Sequence, residues 1–224
     1  MAKYFLDELD SLKNHIIKMA TIVDDQVERA FQALETKDLE LCGIVKNTDR
    51  EVDAYDNLIQ TQTENLLALY QPVATDLRFL ITAIMVNNQL ERCGDIAVNI
   101  AQRAKKADNY KDIITESQIL EMGKISRIMV KDAIDSFINL DTVLAKSVME
   151  RDDIVDKLNK KVFELLVEKM VSHPECIKPG AHLLILTRHI ERLADHATNI
   201  AENVVYMVEA RLVTHSKKLG KQEY

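Results

Sequence analysis

The string Glu91-Arg92-Cys93-Gly94-Asp95-Ile96-Ala97-Val98-Asn99-Ile100-Ala101 returns as Glu191-Arg192-Leu193-Ala194-Asp195-His196-Ala197-Thr198-Asn199-Ile200-Ala201. Both copies read E-R-x-x-D-x-A-x-N-I-A. On a helix, positions four apart share a face, with Cβ atoms about 5–6 Å apart. Each copy therefore predicts a helix bearing a polar ladder of two carboxylates and a carboxamide. Like charges four apart cost a few tenths of a kcal/mol on an exposed helix, roughly 0.2–0.5. A ladder kept twice indicates a duplicated chain whose halves hold the same site.

The duplication extends further. Val27-Glu28-Arg29-Ala30-Phe31 matches Val130-Lys131-Asp132-Ala133-Ile134. Met19 matches Met122, and Asp38 matches Asp141. Asp49-x-x-x-Asp53 matches Asp152-x-x-x-Asp156. Between a few breaks the apolar spacing is helical: Phe5, Leu9, Leu12, Ile16, Met19 and Val23 follow the i, i+3, i+4 pattern, and no segment alternates with period two. The breaks are Thr36–Asp38, Gln71-Pro72, the polar stretch Lys106–Thr115, Asn139–Asp141, and His173 through Pro179-Gly180. Proline cannot continue a helix interior, and Asp, Asn and Thr favour caps; Ala74-Thr75-Asp76 is a candidate cap for the third helix. Helices are expected at 4–35, 38–71, 75–107, 115–139, 142–172 and 180–215. The fold class is all-α: two tandem three-helix bundles related by internal duplication, over residues 1–108 and 112–216, with a tail at 217–224.

The formal net charge of −7 argues against nucleic-acid binding and is compatible with cations or a basic partner. Cys42, Cys93 and Cys176 have no C-x-x-C spacing and read as reduced residues of a cytoplasmic protein. Cys93 falls within the first ladder, but Leu193 replaces it in the second, so it reads as a packing residue. No stretch reaches the roughly 18–20 uncharged apolar residues of a membrane span, so no membrane insertion is expected.

Asp49 lies 23 residues before Pro72 and Asp95 lies 23 after it. In an antiparallel hairpin these acids reach the same height. The same estimate brings Asp152 and Asp156 level with Glu191 and Asp195. Four converging carboxylates repel in a partly dry groove, which raises their pKa values or recruits cations. Oxygen donors without a thiolate suit hard ions, Mg²⁺, Ca²⁺ or Mn²⁺, and iron as well. Bridging carboxylates permit more than one ion. The candidate metal residues are thus Asp49, Asp53, Glu91 and Asp95, and Asp152, Asp156, Glu191 and Asp195. Asn99, Asn199, Arg92 and Arg192 are candidate supporting residues. The competing reading is that these acids pair with Arg50, Arg92 or Arg192 and only solvate helix faces. His189 and His196 flank the second ladder, and the first copy has Gln89 and Ile96 in their places, so neither is essential to a shared site. A di-metal carboxylate oxidase needs Glu-x-x-His, and none of the six histidines has a Glu three residues before it. A structural bundle dimer that binds no metal is the remaining alternative. No Arg/Lys cluster at a helix N-terminus marks a phosphate site.

Asp76-Leu77-Arg78, the two ladders with their flanks Leu90 and Thr187-Arg188-His189, and the six-helix layout resemble the PhoU family of phosphate-transport regulators across essentially the whole chain. The resemblance implies a cytoplasmic, non-enzymatic protein, often a homodimer. It implies repression of the phosphate-starvation response by linking the ATPase subunit of an ABC phosphate transporter to a sensor histidine kinase. It also implies divalent or trivalent metal ions, in some members multinuclear, on the acidic pairs named above. Cys93-Gly94 against Leu193-Ala194, and Ile96 against His196, lead one to expect two sites that differ in affinity or ion count.

Overall fold

A computed structural model of the chain describes residues 2–36, 38–104, 106 and 111–211. The described elements are all helical: α1 (Ala2–Thr36), α2 (Leu39–Tyr70), α3 (Ala74–Ala104), α4 (Lys111–Glu116), α5 (Ile119–Asn139), α6 (Thr142–Ser172) and α7 (Ile177–Glu209), with a 3₁₀ turn at Pro174–Cys176. The duplication shows at the caps. Asp38 accepts from the backbone N–H groups of Glu40 (2.8 Å) and Leu41 (3.4 Å) to start α2. Asp141, its counterpart, accepts from Val143 (2.9 Å) and Leu144 (3.0 Å) to start α6. Both satisfy N–H groups that a helix start leaves without partners.

Three boundaries differ from expectation. The polar stretch before residue 115 contains α4, whose Ile113 and Ile114 are buried; six residues are too few for a period to show. Gln118, with φ 62°, ends that piece, so α5 starts at Ile119 rather than 115. Pro179 and Gly180 lie inside α7, not in a break, because the first turn of a helix makes no N–H bonds that proline could remove. Thr75 and Asp76 likewise sit within the first turn of α3, which begins at Ala74 with φ 49°. α7 ends at Glu209; the last residues expected in it, from 212, lie outside those described.

Helices α1–α3 form one bundle and α5–α7 the other. The bundles join through α3 against α7 and α1 against α5. Both crossings are antiparallel. Gln89 meets His196 while Arg103 meets His182, and Glu28 meets Arg127 while Phe31 meets Gly123. Each half thus presents the same two helices to the other, about an approximate two-fold axis. The Glu28–Arg127 ion pair (2.9 Å) has as its mirror the attraction between Asp24 and Lys131. Burial follows this layout. α3 and α7 bury 13 and 15 residues and are central, whereas α2 and α6 bury 6 each along one narrow stripe and lie outside.

Candidate metal centre

The four acidic pairs lie where an outer helix meets a central one. On the α2–α3 hairpin, Asn87 Nδ2 donates to Asp56 Oδ1 at 2.7 Å and to the Asp56 carbonyl at 3.1 Å. Seven residues further along α3, Gly94 passes Asp49: a Cβ built on Gly94 would stand 3.6 Å from Asp49 Oδ1 and 3.0 Å from Gln26 Oε1. Only a bare backbone fits there without displacing its neighbours. These two contacts set the register and bring Asp49, Asp53, Glu91 and Asp95 to one level.

Gln26 of α1 holds Asp49 from beneath. It is fully buried, donating from Nε2 to Asp49 Oδ1 (3.0 Å) and to the Val45 carbonyl (3.1 Å). Its own Oε1 is buried with no hydrogen-bond donor. The acids sense one another. Burial first, then Asp53 and Asp95, push the Asp49 carboxyl up against the pull of the Gln26 bond. Glu91 is raised by burial and then by Asp95, Asp56 and Asp53, with Arg92 opposing. Asp56 is raised by burial and by Asp53, with the Asn87 bond and Arg92 opposing. Asp56 thus joins the four expected acids electrostatically. Arg92 Nε stands 3.3 Å from Glu91 Oε2, and its Nη1 stands 3.8 Å from Asp95. Yet Glu91 Oε2 is buried without a hydrogen bond among the described residues.

The second site is built from the same positions with different fixings. Thr198 donates to Asp152 Oδ1 at 3.3 Å, tying α6 to α7. Glu191 is raised by burial and by Asp195 and Asp156, while Arg188 lowers it through a hydrogen bond and its charge. Where the first half has Asp56 and Asn87, this half has Asn159 and Thr187, so one carboxylate is missing.

The candidate supporting amides face elsewhere. Asn99 Nδ2 donates to the Asp95 carbonyl of its own helix (2.9 Å). Asn199 Nδ2 donates across the α3–α7 seam to Gln89 Oε1 (3.2 Å). Arg192 acts on that seam too: His189 is lowered by burial, then Arg103 and Arg192, and His196 by burial, then Arg192 and Arg92. Gln26, Asp56 and Asn87 escaped the sequence reading. A signal was present: Gln26 interrupts the apolar stripe between Val23 and Val27, and Asp56 and Asn87 lie one turn beyond Asp53 and Glu91.

The donor set suits a hard cation. Burial and neighbouring carboxylates raise Asp49, Asp56 and Glu91 even with Arg92 3.3 Å from Glu91, which favours added positive charge. As the helices lie, no three His, Cys, Asp or Glu side chains among the described residues are gathered closely enough to hold an ion. Cys93 is no ligand candidate: its fully buried thiol is pushed up to about 12, by burial first and then by Glu91. Cys42, Cys93 and Cys176 form no disulfide among the described residues, and Cys42 donates to the Ala101 carbonyl at 3.2 Å. No described helix is long and apolar enough to cross a membrane.

The chain was compared with known proteins. The family model described as the PhoU domain matches twice, at residues 16–104 and 119–204. The phosphate-specific transport system accessory protein PhoU homolog of Aquifex aeolicus is 38% identical over 216 residues, covering 96% of this chain and 98% of that protein. The homolog of the same name from Clostridium acetobutylicum is 29% identical, over 94% and 97%. The crystal structure of PhoU from Pseudomonas aeruginosa superposes with a TM-score of 0.86 at 32% identity, over 92% of this chain and 100% of that one. The phosphate transport system regulatory protein PhoU from Streptococcus pneumoniae gives 0.84 at 29% identity, over 94% and 99%.

Proposed function

This chain belongs to the PhoU family, and from that premise we propose that it is an accessory protein of a phosphate-specific transport system that restrains the phosphate-starvation response. The relatives are named for that transport system and as accessory proteins. We place it in the cytoplasm, where it docks as a homodimer on the transporter's ATPase subunit and on a sensor histidine kinase. Its action is docking without chemistry of its own.

The observation that carries this reading is the pair of acidic faces on long, rigid helices, each too negative for its surroundings. Asp49, Asp53, Glu91 and Asp95 would hold cations in the first half, and Asp152, Asp156, Glu191 and Asp195 in the second. Iron, Mg²⁺, Mn²⁺ or Ca²⁺ would neutralise the repulsion and lock the outer helix onto the central one. A stiffened acidic face presents one fixed surface to a partner. With its fifth carboxylate, Asp56, the first half is expected to bind more tightly than the second.

Two measurements test the proposal. In a deletion strain grown in high phosphate, the starvation phosphatase should switch on, and this gene should restore repression; a phosphatase that stays off removes the regulatory role. Elemental analysis of purified protein should show metal that falls when Glu91 and Asp95 become alanine. Unchanged stoichiometry would remove the site and leave the regulatory role standing.

A further inference from the structure

Asp76 and Arg78 take no part in either acid cluster. They line a cleft of about 490 Å³ where the start of α3 meets the N-terminal half of α1 and the last turns of α5 and α7. Its walls are apolar: Ile17, Phe137, Ile138, Leu140, Met207 and Val208. Four of these are exposed to water, Leu140 by 56% and Val208 by 44%. A concave apolar surface of this size with a few polar groups is the form of a small-molecule site.

The polar groups specify the charge. Lys13, Arg78 and Asp76 are the charged groups of the lining, and Asp10, outside it, pairs with Lys13, which leaves Arg78 as the cation to meet a ligand. Asp76 sits in the first turn of α3, where the helix dipole favours its charge. Lys13 is engaged: its Nζ lies 3.2 Å from Asp10 Oδ1 and 5.6 Å from the centre of the Phe79 ring. Arg78 is not. Its Nε is buried with no hydrogen-bond partner among the described residues, and its Nη2 makes one long contact, 3.4 Å to Thr75 Oγ1. A guanidinium carries five donors in a planar fork that matches a carboxylate.

We propose that this cleft binds a small amphipathic anion: an unbranched acyl chain laid against Ile17, Phe137 and Met207, with its carboxylate on Arg78. A monoanion is preferred over a phosphate because Asp76 shares the lining, and its repulsion grows with the charge of the ligand. The site stands apart from both acid clusters and does not depend on the metal reading.

The test uses the full chain, with decanoate as probe, followed by calorimetry and by the methyl resonance of Met207. Decanoate should bind saturably with one site per chain and shift Met207. Arg78→Met should weaken decanoate by about tenfold or more and leave 1-decanol unchanged, since only the head contact is removed. Should that variant not fold, Arg78→Lys keeps the charge, loses the fork, and should give a loss of several-fold. Ile17→Trp fills the cleft and should abolish both ligands, with the helical circular dichroism intact. Decyltrimethylammonium, the same chain with a positive head, should bind more weakly than decanoate. The proposal is overturned if the cationic analogue binds as well as decanoate or if Arg78→Met changes nothing. Absence of any saturable shift at Met207 also overturns it, and leaves the cleft to the side chains of a protein partner.

Discussion

Glu91 carries its charge less readily in the folded chain than in water. Its carboxyl is raised by burial first and by Asp95 next. A group whose folded pKa stands above its unfolded value stabilises the fold at low pH and loses that contribution as pH rises through the folded pKa. In metal-free protein, Glu91→Gln should therefore melt higher than the native chain at pH 7, by about 0.5 kcal/mol, a small figure because the group is only half-buried. The gap should close as pH falls below the ordinary Glu pKa of 4.5. Thermal melts in a chelator across that range measure it, and a variant that melts lower at pH 7 would refute the repulsion. The acid positions were legible because charged spacing of four is a local pattern. Gln26 was less so: its role depends on the height at which α1 crosses α2, which no local pattern states.

Among the helices, two glycines separate backbone cost from packing. Gly43 lies within α2, and a Cβ added there meets nothing within 4 Å. Gly43→Ala should stabilise by about 1 kcal/mol, the helix-propensity difference alone. Gly123 lies within α5, where a Cβ would stand 2.6 Å from Cε1 of Phe31, a buried residue of α1. Gly123→Ala should cost about 1–2 kcal/mol, because overpacking a closed site outweighs the gain in propensity. Urea unfolding midpoints of the two variants should move in opposite directions at unchanged slope. Six helices could be read from the sequence because long amphipathic stripes carry many repeats of their own period. The turn around α4 could not, since the left-handed Gln118 that divides it from α5 leaves no compositional mark. Pro179 misled for the opposite reason: a breaker was visible, but its position in the first turn, which makes it harmless, was not.

At the scale of the molecule, the α3–α7 seam carries the contact between bundles and should govern its response to acid. His196 Nδ1 lies 2.7 Å from Gln89 Oε1. Burial, then Arg192 and Arg92, lower its pKa to about 4 from 6.5. The folded state therefore binds this proton more weakly than the unfolded chain, and stability is lost as pH falls from 6.5 toward 4. The loss should be about 1 kcal/mol after allowance for solvent screening on a partly exposed ring, and absent in His196→Gln. Paired melts of the two proteins in chelator isolate it from the opposite trend at Glu91; parallel curves would refute it. The antiparallel docking of α3 on α7 was not legible, because identical ladders fix neither the direction nor the partner of a helix.

The counterparts of the hydrogen-bonded Gln89 and His196 in the other half are His189 and Ile96, and His189 Nδ1 is buried with no hydrogen-bond partner among the described residues. Had the same contact been made by two half-length subunits, one gene would have written both sides, and every substitution would have struck twice. Joined in a single chain, each side is inherited separately. One flank can change its side chains while the other keeps its own.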